Sequence, residues 1–261
     1  MSMTADQIAD RRRIRRKLAF WRVSAFVVLF VALVSAIIAV RGRDSFPTIA
    51  SAHIARVTID GFITVDRDQL KLLATLAKTN AVKGVIVAID STGGATTGGE
   101  ALYEGLRDLA EAKPTVASVG TVGASAAYMA AIATDHVVAR RTSITGSIGV
   151  LFELPEISGL MDKIGVEVEE IRSGPLKAEP SPFRPASPAA RAMVAGVIGD
   201  SFDWFVDIVA ERRDMARGEA LGLADGRIYT GRQALDAKLI DEIGGEDAAV
   251  AWLGKIGRAH V

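Results

Sequence analysis

The chain has 261 residues, with 31 Lys/Arg, 31 Asp/Glu, three His and no Cys; 49% of it is hydrophobic and 24% charged. That balance describes a folded protein rather than a disordered one, and the missing cysteines exclude disulfides, thiol catalysis and zinc–thiolate sites. The zero net charge hides a division: residues 1–43 carry nine Lys/Arg and two acids, which leaves 22 basic and 29 acidic residues in 44–261. An acidic main body argues against nucleic acid as a partner, since phosphate binding needs a basic surface.

Residues 23–40 are 18 consecutive positions without a charge, preceded by seven Lys/Arg. At about 1.5 Å per residue such a helix just spans a bilayer core, with Trp21 and the flanking arginines at its ends. The charge asymmetry predicts 1–22 as a cytoplasmic basic segment and 23–40 as a transmembrane anchor. A linker over 41–53, containing Pro47, then leads to a domain over 54–261 on the far side of the bilayer. A cleaved signal peptide is the alternative; it wants small residues at the cleavage site, and pairs such as Ile37 and Ala39 supply a large one first.

Beyond the linker, strand-like and helix-like stretches alternate. A strand over 54–59 precedes a helix over 69–77, with Leu70, Leu73, Leu76 and Ala77 on one stripe. The apolar run 85–89 reads as a strand covered on both faces. A helix over 99–112, a strand over 115–119, a helix over 125–133 and a strand over 136–139 follow. The pattern predicts βαβ units, hence an α/β domain with a largely parallel sheet. A long helix over 188–215 starts at Ser187-Pro188, an N-cap with Pro in the first turn. Elements over 231–237 and 246–256 close the chain.

Three segments carry groups suited to chemistry. In Ile89-Asp90-Ser91-Thr92-Gly93-Gly94, tandem glycines follow an apolar strand, where they allow a sharp turn and outward amides. A plain strand–helix turn uses them equally well, and no nucleotide-binding fingerprint is present. In Val119-Gly120-Thr121-Val122-Gly123-Ala124-Ser125-Ala126, a serine stands at the start of a helix rich in small residues. There the helix dipole and free amides favour an alkoxide or an oxyanion, although serine is also an ordinary N-cap. The third runs from Arg172 through Lys177 to Pro185, with four prolines in its last eleven residues. Desolvation lowers a lysine pKa by several units, and a neutral amine beside a serine acts as a general base. A surface lysine is the plain alternative.

Histidine offers little. His53 precedes the first strand, His136 reads as structural, and His260 is the penultimate residue. No spacing suggests a metal site, and no cofactor is expected.

Together these segments resemble the signal peptide peptidase A, or protease IV, family. The similarity runs over about residues 54–245 and includes Asp90-Ser91-Thr92-Gly93-Gly94, the Ser125 segment, Thr145-Gly146-Ser147-Ile148-Gly149-Val150, Ser173-Gly174 through Lys177, and Ser181-Pro182-Phe183-Arg184-Pro185. It also takes in Ala224-Asp225-Gly226-Arg227 and Thr230-Gly231-Arg232. The length is similar to the family's short, single-domain form. The resemblance implies a Clp-protease/crotonase-like fold, Ser125 as nucleophile, Lys177 as general base, and an oxyanion held by the amides of Gly94 and Ala126. Ser147 matches a position that orients the lysine. The resemblance further implies a homo-oligomeric ring at the bacterial inner membrane whose neighbouring subunits complete each other's sites, acting on apolar peptides such as released signal peptides. Two departures stand out. Thr92 replaces the family's usual Pro, and Glu179, two residues from Lys177, would raise the lysine pKa if it turned inward; it is expected to face away. A crotonase-type acyl-CoA enzyme and an inactive anchored scaffold are the rival readings.

Overall fold

The computed structural model describes residues 21–33 and 51–259. The chain divides into two units, 1–51 and 52–261. In the first, residues 21–33 form helix α1, whose Trp21, Phe26, Leu29, Phe30 and Leu33 are exposed. The rest of the expected anchor, 34–40, and the basic segment as far as residue 20 lie outside the described residues. Among the described residues no helix is long and apolar enough to cross a membrane.

The second unit is built on a seven-stranded, mostly parallel sheet, as the alternation of elements implies. Strands β1 (His53–Ile63), β2 (Val82–Gly94), β3 (Thr115–Ala124), β4 (His136–Ala139) and β7 (Glu242–Ile243) lie side by side in that order, every pair parallel. β5 (Ile144–Gly146) adds in parallel to the far end of β3, and β6 (Ile228–Thr230) pairs antiparallel with β5. His53 is thus the first residue of β1 rather than a linker residue.

The first three strands run further than their apolar stretches suggest. β2 continues from Ile89 through Gly94, so the expected glycine turn is strand, and β3 continues from Val119 through Ala124. Register shifts between Asp60 and Phe62 and between Ile89 and Ser91 let these ends carry on past the main sheet. The Val/Ile-rich runs mark only the parts of the strands that are covered on both faces. The continuations are polar or glycine-rich and pair through the backbone.

The helices cover the sheet. α2 (Arg67–Lys78) starts at Asp66, whose Oδ1 accepts from the amides of Asp68 (2.8 Å) and Gln69 (3.1 Å). It buries Leu73 and packs Leu76 and Ala77 against the core, the stripe that the spacing predicts. α3 (Thr96–Ala112) buries Leu102, Leu106 and Leu109. α4 (Ala126–Ile132) is buried along its whole length. The long helix ends sooner than expected. α6 (Pro188–Arg212) begins at Ser187, whose Oγ accepts from the Ala190 amide (3.1 Å), but the chain breaks at Asp214, with φ 48°, before α7 (Arg217–Leu223). α5 (Ser158–Ile164), α8 (Gly231–Asp236) and α9 (Glu246–Ala259) complete the unit. β5, β6, β7, α5 and α7 hold seven residues or fewer each, too few for a period to stand out.

Two polar groups fasten this core. Tyr128 of α4 is fully buried, and its hydroxyl donates to the Leu239 carbonyl (2.8 Å); burial pushes its pKa far above that of a free phenol. His136 is structural, as its position suggests. Its ring stacks on Trp252 at 4.8 Å, with Glu242 3.3 Å and Asp241 3.8 Å from its nitrogens. Removing the Tyr128 hydroxyl leaves a buried carbonyl unpaired, a loss of about 1–3 kcal/mol. Denaturant unfolding of Tyr128→Phe should read a loss in that range with an unchanged m-value; wild-type stability would show that the bond contributes nothing.

Candidate active site

Ser125 occupies the single residue between β3 and α4, and its backbone is unusual there. At φ 55° and ψ −124° it lies where side-chain-bearing residues rarely go, a strain of roughly 1–3 kcal/mol that persists only under strong surrounding constraint. The constraint is visible on both sides. The Ser125 amide donates to the Gly146 carbonyl (2.9 Å), and the Ser125 carbonyl accepts from the amides of Tyr128 (2.8 Å) and Met129 (3.1 Å). The buried α4 therefore cannot move to relax the turn. The hydroxyl itself makes no capping hydrogen bond. Ser125 is the N-cap by position only, and its Oγ has no hydrogen-bond partner among the described residues. A serine on a strained strand-to-helix turn is also how other hydrolases expose a nucleophile.

The end of β2 lies against this turn. A Cβ added at Gly93, whose φ is 111°, would stand 2.8 Å from the Ser125 Cβ and 3.2 Å from the Ala126 nitrogen. At Gly94 an added Cβ would collide with the backbone of Ile63 in β1, and at Gly99 it would meet the Ala126 Cβ at 2.9 Å. No side chain larger than hydrogen fits at these points without displacing Ser125, its helix or the end of β1. Two neighbours hold the approach. Ser91, 2% exposed, donates from Oγ to the Gly61 carbonyl (2.5 Å) and accepts from the Gly93 amide (3.1 Å). Asp90 Oδ1 accepts from the Val122 amide (3.1 Å), three residues before Ser125. The Gly93 amide is thus already occupied. Thr92 is exposed and makes no part of this packing.

Ser147 sits one residue beyond the carbonyl that receives the Ser125 amide, again at positive φ (52°), with its own amide on the Arg227 carbonyl (2.8 Å). The structure thus brings Gly93, Ser125, Ala126 and the Gly146–Ser147 peptide together at one turn, with Gly94 one residue further along β2 against Ile63. Among the described residues no hydrogen bond or ion pair joins the Lys177 side chain to them. Residues 150–187 leave the body as a thin arm in which only Ser181 is buried, while Leu151, Phe152, Leu160, Ile164 and Ile171 are exposed. Lys177 lies on this arm, exposed, with no hydrogen-bond or ion-pair partner for its amine among the described residues. Glu179 has turned from it onto two guanidinium groups, those of Arg172 and Arg184.

Sequence reasoning quoted Asp90 and Ser91 but gave them no task. Short polar side chains between an apolar strand and tandem glycines commonly bond to nearby backbone, which is the signal they carry.

The sequence aligns with known proteins over the same region. Residues 107–259 match the model of Peptidase family S49. A candidate protease of Methanocaldococcus jannaschii is 38% identical over 73% of this chain and 61% of its own length. The chloroplastic serine protease SPPA of Arabidopsis thaliana is 31% identical over 80% of the chain and 32% of its own. Protease 4 of Haemophilus influenzae is 30% identical over 69% and 29% respectively. The chain therefore spans less than two thirds of the length of each of these three relatives. With more than half its residues inside that match, the chain belongs to peptidase family S49, the family of signal peptide peptidase A.

Proposed function

We propose that the protein is a serine endopeptidase with a Ser125–Lys177 dyad, tethered to the bacterial inner membrane through 23–40 and working outside the cytoplasm. The observation that carries the reading is the strained turn at Ser125 with an uncommitted hydroxyl. Family membership, and protease names among relatives that are longer than this chain, support it. The parallel sheet with overrunning strands suits the Clp-protease/crotonase-like fold of such enzymes.

In the proposed reaction a neutral Lys177 amine takes the Ser125 proton and Oγ attacks the peptide carbonyl. The amides of Gly94 and Ala126 face the oxygen on which negative charge develops. The amine then protonates the leaving nitrogen, and water, activated by the same amine, hydrolyses the acyl-enzyme. Ser147 holds the amine by a hydrogen bond. Because the exposed Lys177 amine has no hydrogen bond to Ser125 or Ser147, the reading is that a neighbouring copy supplies the lysine in a homo-oligomeric ring. The apolar side chains along the arm support such packing. The substrates proposed are extended apolar peptides near the bilayer, released signal peptides among them. The rival acyl-CoA chemistry would show as thioester turnover in place of peptide cleavage.

Cleavage of an apolar fluorogenic peptide should fall by on the order of 10⁴-fold or more in Ser125→Ala and in Lys177→Ala, with sedimentation showing the same assembly as wild type. Full cleavage by Lys177→Ala would dispose of the dyad. Gly93→Ala drives a methyl into the Ser125 Cβ. Because a displacement of about 1 Å costs on the order of 10²-fold, its kcat should drop by about that factor while the fold remains; unchanged kcat would mean that the close approach does not set the position of Ser125.

A further inference from the structure

The arm that carries Lys177 has almost no apolar interior, so charges fix its shape. Arg172 Nη1 and Arg184 Nη2 both reach Glu179 Oε1 at 2.6 Å. Arg184 Nη1 also reaches Glu170 Oε2 (2.8 Å), and Ser181 Oγ donates to Glu170 Oε1 (2.9 Å). Two guanidiniums and two carboxylates thus close on one another. The Glu179 side chain is only 5% exposed within this group. Hydrogen bonds from Arg184 first and Arg172 second hold its carboxyl below the usual carboxylate range, so it is ionised wherever an amine base could work.

Glu179 is also two residues from Lys177, and the chain between them reverses at Ala178, whose φ is 62°. Close amide contacts tighten the turn further, from Lys177 to the Gly174 carbonyl and from Glu179 to the Leu176 carbonyl, both at 3.2 Å. Arg172 Nη1 additionally approaches the Lys177 carbonyl (3.5 Å). A carboxylate released at this point would stand two residues along the chain from Lys177, whose amine has no partner among the described residues. It would stabilise the ammonium form and withdraw the neutral base.

We infer that Arg172 and Arg184 are positioning residues for Lys177: by gripping Glu179 between them they keep its carboxylate away from the amine and set the loop that presents the amine to Ser125. The inference rests on the proposed role of Lys177 as base. Besides Lys177, the charged side chains from 167 to 185 are Glu167, Glu169, Glu170, Arg172, Glu179 and Arg184. Any charge contributed by a neighbouring copy is common to the variants compared below and cancels between them.

The test uses the full chain in detergent and records kcat/KM from neutral to alkaline pH for Arg184→Gln, Glu179→Gln and the double variant. A base needed in its neutral form gives an acid limb that follows its pKa. Arg184→Gln removes the first of the two holds on Glu179 and leaves only Arg172, which also pairs with Glu170. The grip that needs both guanidiniums loosens, so the limb should move to higher pH by about one unit, a roughly tenfold loss of kcat/KM on the limb. The double variant should return the limb to the wild-type position, and Glu179→Gln alone should leave it there. A limb unmoved in Arg184→Gln, or shifted equally in the double variant, overturns the inference. Should Arg184→Gln be inactive throughout, recovery of cleavage in the double variant supports it and lack of recovery overturns it. Retained activity in Lys177→Ala defeats the dyad itself, whereas an inactive Lys177→Ala with an unmoved Arg184→Gln limb defeats only this step.

Discussion

There is no room for a side chain where the ends of β1, β2 and β3 meet, and the arrangement around Ser125 depends on that. The built Cβ atoms at Gly93, Gly94 and Gly99 run into Ser125, Ile63 and Ala126 respectively. At Gly94 backbone packs on the backbone of Ile63, and at Gly93 and Gly99 it packs on the Cβ atoms of Ser125 and Ala126. An unusual φ/ψ at Ser125 persists because the strand before it is paired, the helix after it is buried, and the glycine face beside it is in contact. Any relaxation of one would have to move the others.

The rest of the fold makes those anchors immovable. α4 is only seven residues long, yet all of it is buried and Tyr128 ties it to Leu239 across the core. Its alanines let it sit close to α3 and to the sheet, which a helix of larger side chains could not do. Asp90 and Ser91 then turn the overrun of β2 from a loose end into a fixed surface by bonding to Val122, Gly61 and Gly93. Rigidity of this kind suits a nucleophile, because chemistry at one hydroxyl is sensitive to displacements of an ångström.

The arm of residues 150–187 follows a different logic. Where the body is held by apolar packing, the arm is held by guanidinium–carboxylate pairs around a single buried serine, and it shows apolar side chains to its surroundings. Charge pairs fix direction better than they fix depth, since they carry geometry in each hydrogen bond. A lysine borne on such a segment is aimed by its loop, while the water exclusion that a neutral amine requires must come from whatever covers the arm. On the proposed reading the body supplies the serine ready positioned, and the arm supplies an amine whose surroundings a neighbouring copy completes.

Much of this was legible in the residues. The Val/Ile runs of β2 and β3, the Leu stripe of α2, the Ser187-Pro188 start of α6 and the alternation of strands and helices follow from local periodicity and capping, which depend on near neighbours alone. The serine before a run of small residues and the lysine in a proline-rich loop marked Ser125 and Lys177 as candidates, and the likeness to the signal peptide peptidase A family drew Gly94, Ala126 and Ser147 beside them. Only the tertiary structure decided that the strands overrun their apolar stretches, that Ser125 is strained with its hydroxyl unspent, and that Glu179 faces two arginines. Each of these depends on groups about 20 to 30 residues apart along β1, β2, β3 and β5, or on side chains folded back within the arm, and no pattern along the chain encodes which of them come within bonding distance.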